Sequence, residues 1–290
     1  MATKKAASSK KVKTVGAKKH TTSKVTSVKT VAADAPVRAR TPKRTAILQG
    51  RSPLLGAGIG EFIGTFLLAS AIVLTKGEPL YAGFVLVAIV LVLGALSGAH
   101  VNPLVTIGAW ATRKISGKRA LAYIFAQALG AMLALVVLTA FAGAAPKADP
   151  QAAMFGQQTA SLFKANEIAQ GKEWFVFFAE MLGAAIFGLA VSSAMREKRD
   201  RLAQAVTVGF GLLLAVLVAG VCASFASSSA IVNPAVAITL QAINWSFSSI
   251  WPILVYIVAP IVGGTIGFFL YDVVRGESDG GDDHLLNDSL

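Results

Sequence analysis

Sulfur chemistry and charge are both scarce in this chain of 290 residues. It has one cysteine, Cys222, and three scattered histidines, His20, His100 and His284. One thiol makes no intramolecular disulfide, and no Cys/His spacing suggests zinc, so no metal or cofactor is expected. There is no glycine-rich phosphate loop and no sensibly placed Ser–His–Asp set, and acids are few between 54 and 273. An enzyme is therefore not expected. Charged residues are only 14% of the chain and hydrophobic residues are 54%, with a mean hydropathy of +0.64. Such a composition excludes most soluble domains and makes the bilayer the expected solvent.

The net charge of +12 belongs to one end. Residues 1–53 hold fourteen Lys or Arg and a single acid, Asp34, and the rest of the chain is close to neutral. The tail, opening "MATKKAASSKKVK", has no aromatic residue and no apolar h-region, so it reads as a disordered basic tail and not as a secretory signal. Its basic, Ser-rich, acid-poor character is also that of organelle transit peptides. A solvated tail that fixes topology and a tail attracted to anionic lipid both fit, and nucleic acid fits less well because no aromatics interleave. Residues 274–290 read as a short acidic tail.

Six stretches are long enough to span a membrane, approximately Leu54–Leu74, Leu80–Leu96, Leu121–Ala142, Phe175–Ala194, Ala203–Ala223 and Ile250–Val273. Two shorter apolar segments, Val101–Ala111 and Ile231–Ile243, contain Asn102-Pro103 and Asn233-Pro234. Asn-Pro is a helix-start signal. About eleven helical residues rise about 16 Å, half of a ~30 Å hydrocarbon core. Basic residues follow the first short segment (Arg113, Lys114, Lys118, Arg119) and the fourth span (Arg196, Lys198, Arg199, Arg201). With six spans, these and the basic tail fall on one side, which places both termini in the cytoplasm.

The two halves also echo each other. "GEFIGTFLLAS" at Gly60 is matched by "AEMLGAAIFGLA" at Ala179, "SGAHVNPLVTIG" by "SSAIVNPAVAIT", and "AQALGAMLA" by "APIVGGTIG". Three spans per half is an odd number, so the second half enters from the opposite side. The expected fold is an all-α membrane protein of six transmembrane helices and two re-entrant half-helices. The expected repeats are 54–143 and 174–273. The two half-helix N-termini would meet at the midplane with their positive dipole ends together.

On these residues the chain resembles the aquaporin, or major intrinsic protein, family. The resemblance covers about Leu54–Val273 and rests on "SGAHVNP", "VNPA", the Glu in the first and fourth spans, the "AQ…GA" of the third, and Tyr256, Pro260 and Gly263 of the sixth. It implies a passive channel for water or small uncharged solutes, a homotetramer with one pore per subunit, and a cell (plasma or inner) membrane. It implies a midplane made by Asn102, Pro103, Leu104, Asn233, Pro234 and Ala235. Pore-lining carbonyls would come from Gly98, Ala99, His100, Ser229, Ala230 and Ile231, and Glu61 and Glu180 would hold the re-entrant loops. By motif spacing the outer constriction would be Ala82, Val221, Ala230 and Val236.

Two positions depart from the family pattern. Leu104 stands where the first motif has Ala, and Val236 where the family usually has Arg. Ala237 follows, where the glycerol-conducting branch usually has Asp. A ring of Ala and Val has no donor and no charge, so it should be wider and drier than that of an orthodox water channel. His100 would fix the loop before Asn102, with a pH gate as the sharper alternative. Glu61 and Glu180 leave a proton relay or an ion-coupled transporter open, and the departures leave open a non-conducting scaffold whose basic tail does the work.

Overall fold

The computed structural model describes residues 53–145, 151, 161–243 and 249–276. Residues 1–52 of the basic tail and residues 277–290 of the acidic tail lie outside the described residues. Helices follow in the order α1 (Pro53–Leu74), α2 (Pro79–Ser97), α3 (Pro103–Ala111), α4 (Gly117–Ala144), α5 (Glu173–Ala194), α6 (Arg201–Ser224) and α7 (Pro234–Thr239). The last, α8 (Trp251–Arg275), is one continuous span. Six of these are long and apolar enough to cross a bilayer, α3 and α7 are the two short ones, and no strand occurs among the described residues. In lipid this is the economical solution, because a helix satisfies its own backbone polar groups.

Local sequence fixes most of the ends. Proline opens α1, α2, α3 and α7 at Pro53, Pro79, Pro103 and Pro234, where its missing N–H costs nothing. Asp200 caps α6, its carboxylate accepting from Leu202 N (2.8 Å) and Ala203 N (2.9 Å). Just before it, the Arg199 and Asp200 N–H groups donate to the Glu197 carboxylate and hold its pKa below the ordinary value. The half-helices are shorter than the eleven residues the sequence suggests, with nine in α3 and six in α7. The left-handed φ of Arg113 (60°) and of Gln241 (54°) breaks the chain out of the helix soon after each one. Within α8, Leu254–Val258 form a π-helical turn immediately before Pro260, the point where proline removes a backbone donor.

The two halves pack by exchange. Within each half, the first span packs on the third, α1 on α4 and α5 on α8. The half-helices cross over, so that α3 lies on α8 and α7 on α4. The two halves are further joined where α2 packs against α6. Glycine makes the close approaches possible at matching places: a Cβ on Gly130 would strike the Phe62 carbonyl of α1, and one on Gly263 the Met181 carbonyl of α5. Small residues thus sit at the helix contacts, and many large apolar side chains such as Leu67, Phe141, Phe175 and Val273 point outward.

Candidate functional site

The chain turns back twice at the centre, before α3 and before α7. Asn102 caps α3 by accepting from Leu104 N (3.0 Å), and Asn233 caps α7 by accepting from Ala235 N (3.0 Å) and Val236 N (3.3 Å). The other end of each amide reaches across the repeat. Asn102 Nδ2 donates to Val232 O at 2.9 Å, and Asn233 Nδ2 donates to Val101 O at 3.1 Å. Both asparagines are buried. The result is a reciprocal brace that brings the two half-helix N-termini together.

The residues that accept these bonds are strained. Val101 has φ 42° and Val232 φ 55°, a left-handed conformation that a β-branched residue rarely adopts. Each is gripped from both sides. While an asparagine holds its carbonyl, a buried glutamate holds its N–H. Glu61 Oε1 accepts from His100 N (2.9 Å) and its Oε2 from Val101 N (2.7 Å). Glu180 accepts from Ile231 N and, at 2.8 Å, from Val232 N. Both carboxyls are 0% exposed, a placement that needs such partners.

Around this shared frame the halves differ. Gln127 Nε2 donates to Glu61 Oε2 at 2.8 Å and to Thr106 Oγ1 at 2.9 Å, and His100 Nδ1 lies 3.2 Å from Thr106 Oγ1. Tyr123 donates its hydroxyl to Ser97 O and meets the His100 ring edge to face at 5.2 Å. The matching positions of the second half are Pro260, Ala237 and Ile231, which carry no side-chain donor or acceptor. Only tyrosine recurs: Tyr256 OH lies 3.5 Å from Ser228 Oγ and from Ser229 O. Ser229 Oγ accepts from Asn166 N (3.1 Å), a partner far away in the chain.

The profile of the family described as "Major intrinsic protein" matches residues 50–271. The chain belongs to that family. Among its relatives, Aquaporin AqpM of Methanothermobacter marburgensis is 26% identical over 76% of this chain and 97% of its own. A probable TIP-type aquaporin of Medicago truncatula is 30% identical over 76% of this chain and 87% of its own. The aquaglyceroporin of Plasmodium falciparum shares the fold, with a TM-score of 0.59 at 24% identity, covering 77% of this chain and 97% of that one. The protein is thus an aquaporin-fold channel of the membrane and not an enzyme, and water or small solutes are the coarse class of permeant.

With the family in view, the remaining sequence-derived positions can be placed. Gly98, Ala99 and His100 line a small cavity beside the asparagines, together with Val105, three residues after Asn102. Val236 holds the same place after Asn233, is fully buried, and so is the repeat-mate of a cavity-lining side chain. Ala82 and Ile231 are buried, and Ser229 and Ala230 are partly so. Pro103, Pro234 and Ala235 are buried at the brace.

Two positions turn elsewhere. Leu104 packs into the space left by Gly264 of α8, so its extra bulk goes into the helix contact. Val221 is 53% exposed and lies with Phe210, Leu214 and Leu217 on the outer stripe of α6. The inward stripe is Val208, Leu212, Ala215, Ala219 and Ala223. Val221 thus lies off the inward stripe by helical phase, between Ala219 and Ala223. Gln127 belongs to the "AQ…GA" motif of the third span without a role read from it, and Thr106, Tyr123 and Asn166 were not singled out by sequence. A glutamine in the middle of an apolar span was the one available signal.

Proposed function

We propose that each subunit is a passive pore for water and small uncharged solutes, with the permeant path running past the braced asparagines. The observation that carries this reading is the reciprocal pair Asn102 Nδ2–Val232 O and Asn233 Nδ2–Val101 O. Each amide has two hydrogens, and the brace uses one. The second is available to donate to a permeant oxygen. Donors from opposed half-helices hold that oxygen inward, which breaks a hydrogen-bonded proton wire and opposes cations. Val101 and Val232 are held in a strained turn that aims successive carbonyls along the same path.

The outer ring in this reading is Ala82, Ala230 and Val236, with α6 supplying Ala219 or Ala223 from its inward stripe in place of Val221. It contains no charge, so exclusion of cations falls to the midplane. The face carrying Arg113, Lys114, Arg196 and Arg199 is the cytoplasmic one by its positive charge, anionic lipid is the partner that suits the basic tail, and the assembly is a homotetramer.

Stopped-flow light scattering on proteoliposomes tests the reading. Shrinkage in a sucrose gradient should be fast and of low activation energy. Val236→Arg should lower neutral-solute flux and leave water flux measurable. Wild-type traces equal to those of empty liposomes would remove the channel reading. Unchanged water and solute fluxes in Val236→Arg would take Val236 out of the pore wall.

A further inference from the structure

On the side of the asparagines nearer the basic loops, a cavity of about 20 Å³ opens between α2, α3, α5 and α6. That is room for about one water. Its wall is mostly apolar and comes from four helices: Val90, Val105, Phe187, Val191 and Val208. The polar edge is the Gly98–His100 segment and Gln204, whose Nε2 donates to Ala194 O at 3.3 Å and so ties α6 to α5 beside the cavity.

Phe187 is the bulkiest side chain in this wall and is 1% exposed. It stands seven residues after Glu180, and its repeat-mate seven residues after Glu61 is Leu68. The second half thus puts a phenyl ring where the first half puts an isobutyl group. Val191 follows one helical turn later on the same face of α5, and Val208 of α6 also lines the cavity. The outer ring, by contrast, is built of alanine and a single valine. An apolar passage selects by width and by how readily it dewets. The narrow apolar element is therefore the inner sleeve.

We propose that Phe187 sets the size limit of this channel: the sleeve around it passes water one molecule at a time and holds back larger neutral solutes. The proposal rests on the channel reading above. A solute wider than water has to displace a ring that is 1% exposed and backed by the surrounding helices, and closely packed interiors resist such displacement. The outer ring of small side chains then acts as a vestibule.

The test uses the full chain in proteoliposomes, with sucrose to read water flux and glycerol to read solute flux. Wild type should pass water well and glycerol slowly, at a rate still measurable above empty liposomes. Phe187→Ala should raise the glycerol-to-water ratio at least tenfold. Phe187→Leu, which installs the side chain of the repeat-mate, should give an intermediate rise and serves as the readout if the alanine variant does not assemble. Val90→Phe, adding bulk to the same wall, should cut water flux severalfold. A wild-type ratio in both Phe187 variants, with wild-type water flux present, overturns the assignment and leaves the channel reading standing. A larger change from Val236→Ala than from Phe187→Ala moves the size limit to the outer ring and also overturns it. Wild type and variants all equal to empty liposomes would remove both readings together.

Discussion

The two halves of this protein reach one backbone geometry with unequal means. In both, a buried glutamate takes two loop N–H groups, a valine sits in a left-handed turn, and an asparagine caps a half-helix while bracing the other half. In the first half Glu61 is also held by Gln127, and Thr106 and His100 extend the network. In the second half Glu180 has the two backbone donors, and Pro260, Ala237 and Ile231 replace the helpers. What recurs is the set the geometry requires, because a buried carboxylate, a strained valine and a helix start each need a partner. The helpers can differ because they stabilise the carboxylate without shaping the turn.

The sharpest way to break this comparison is to remove the glutamates one at a time. Glu180→Ala strands two buried N–H groups at about 1–3 kcal/mol for each, and Pro260, which stands where Gln127 does in the first half, offers no side-chain acceptor. Glu61→Ala strands two as well, but Gln127 stands beside them with its Oε1 unpaired and can turn to accept. The thermal midpoint of detergent-solubilised protein should fall further for Glu180→Ala. Equal losses would mean that the helpers contribute nothing to the anchor.

The asparagines should give a smaller effect in the same direction. Asn233 Oδ1 takes two backbone N–H groups and Asn102 Oδ1 takes one. Loss of an N-cap costs about 0.5–2 kcal/mol, so Asn233→Ala should destabilise more than Asn102→Ala. A reversed order in the same melting experiment would show that the brace outweighs the caps.

The far ends of the half-helices give the smallest contrast. Just past the end of α3, Lys114 pairs with Asp272 at 2.9 Å, and Arg196 joins the same carboxylate at 3.2 Å. The end of α7 is tied by a neutral bond, Thr239 Oγ1 to Ala131 O at 2.8 Å. All three charged groups are partly exposed, so Asp272→Asn should cost no more than about 1 kcal/mol. Raising salt should erase that difference, since the lost interaction is screened. A difference that persists at high salt would mean that the pairs act as buried contacts.

Much of the fold was legible in the residues. The six long apolar stretches differ from the observed helices by only a few residues at their ends, and proline marks four of the starts. The acid, Asn-Pro and small-residue order appeared twice, which is what an inverted pair of half-helices writes into a chain. The site was less legible. Counting back from Asn233 placed Val221 in the constriction, and the fold puts it on the exposed stripe of α6. Leu104 stood in the pore motif, and Gly264 of a distant helix gave it room away from the path. Gln127 stood in the "AQ…GA" motif, but its role appeared only once α4 lay against α1, with its amide on Glu61.

The sequence by itself determined that the chain lives in a membrane, where its helices begin, and that two of them stop halfway, because solvent, proline and helix length act locally. The tertiary structure decided which helix faces turn inward, which strained valines are held, and that Phe187 stands in the wall of the inner cavity. Those outcomes depend on helical phase and on contacts between residues more than a hundred positions apart, as in the Asn102–Val232 and Asn233–Val101 bonds. No local pattern records them, because each is settled by what another part of the chain brings to the same place.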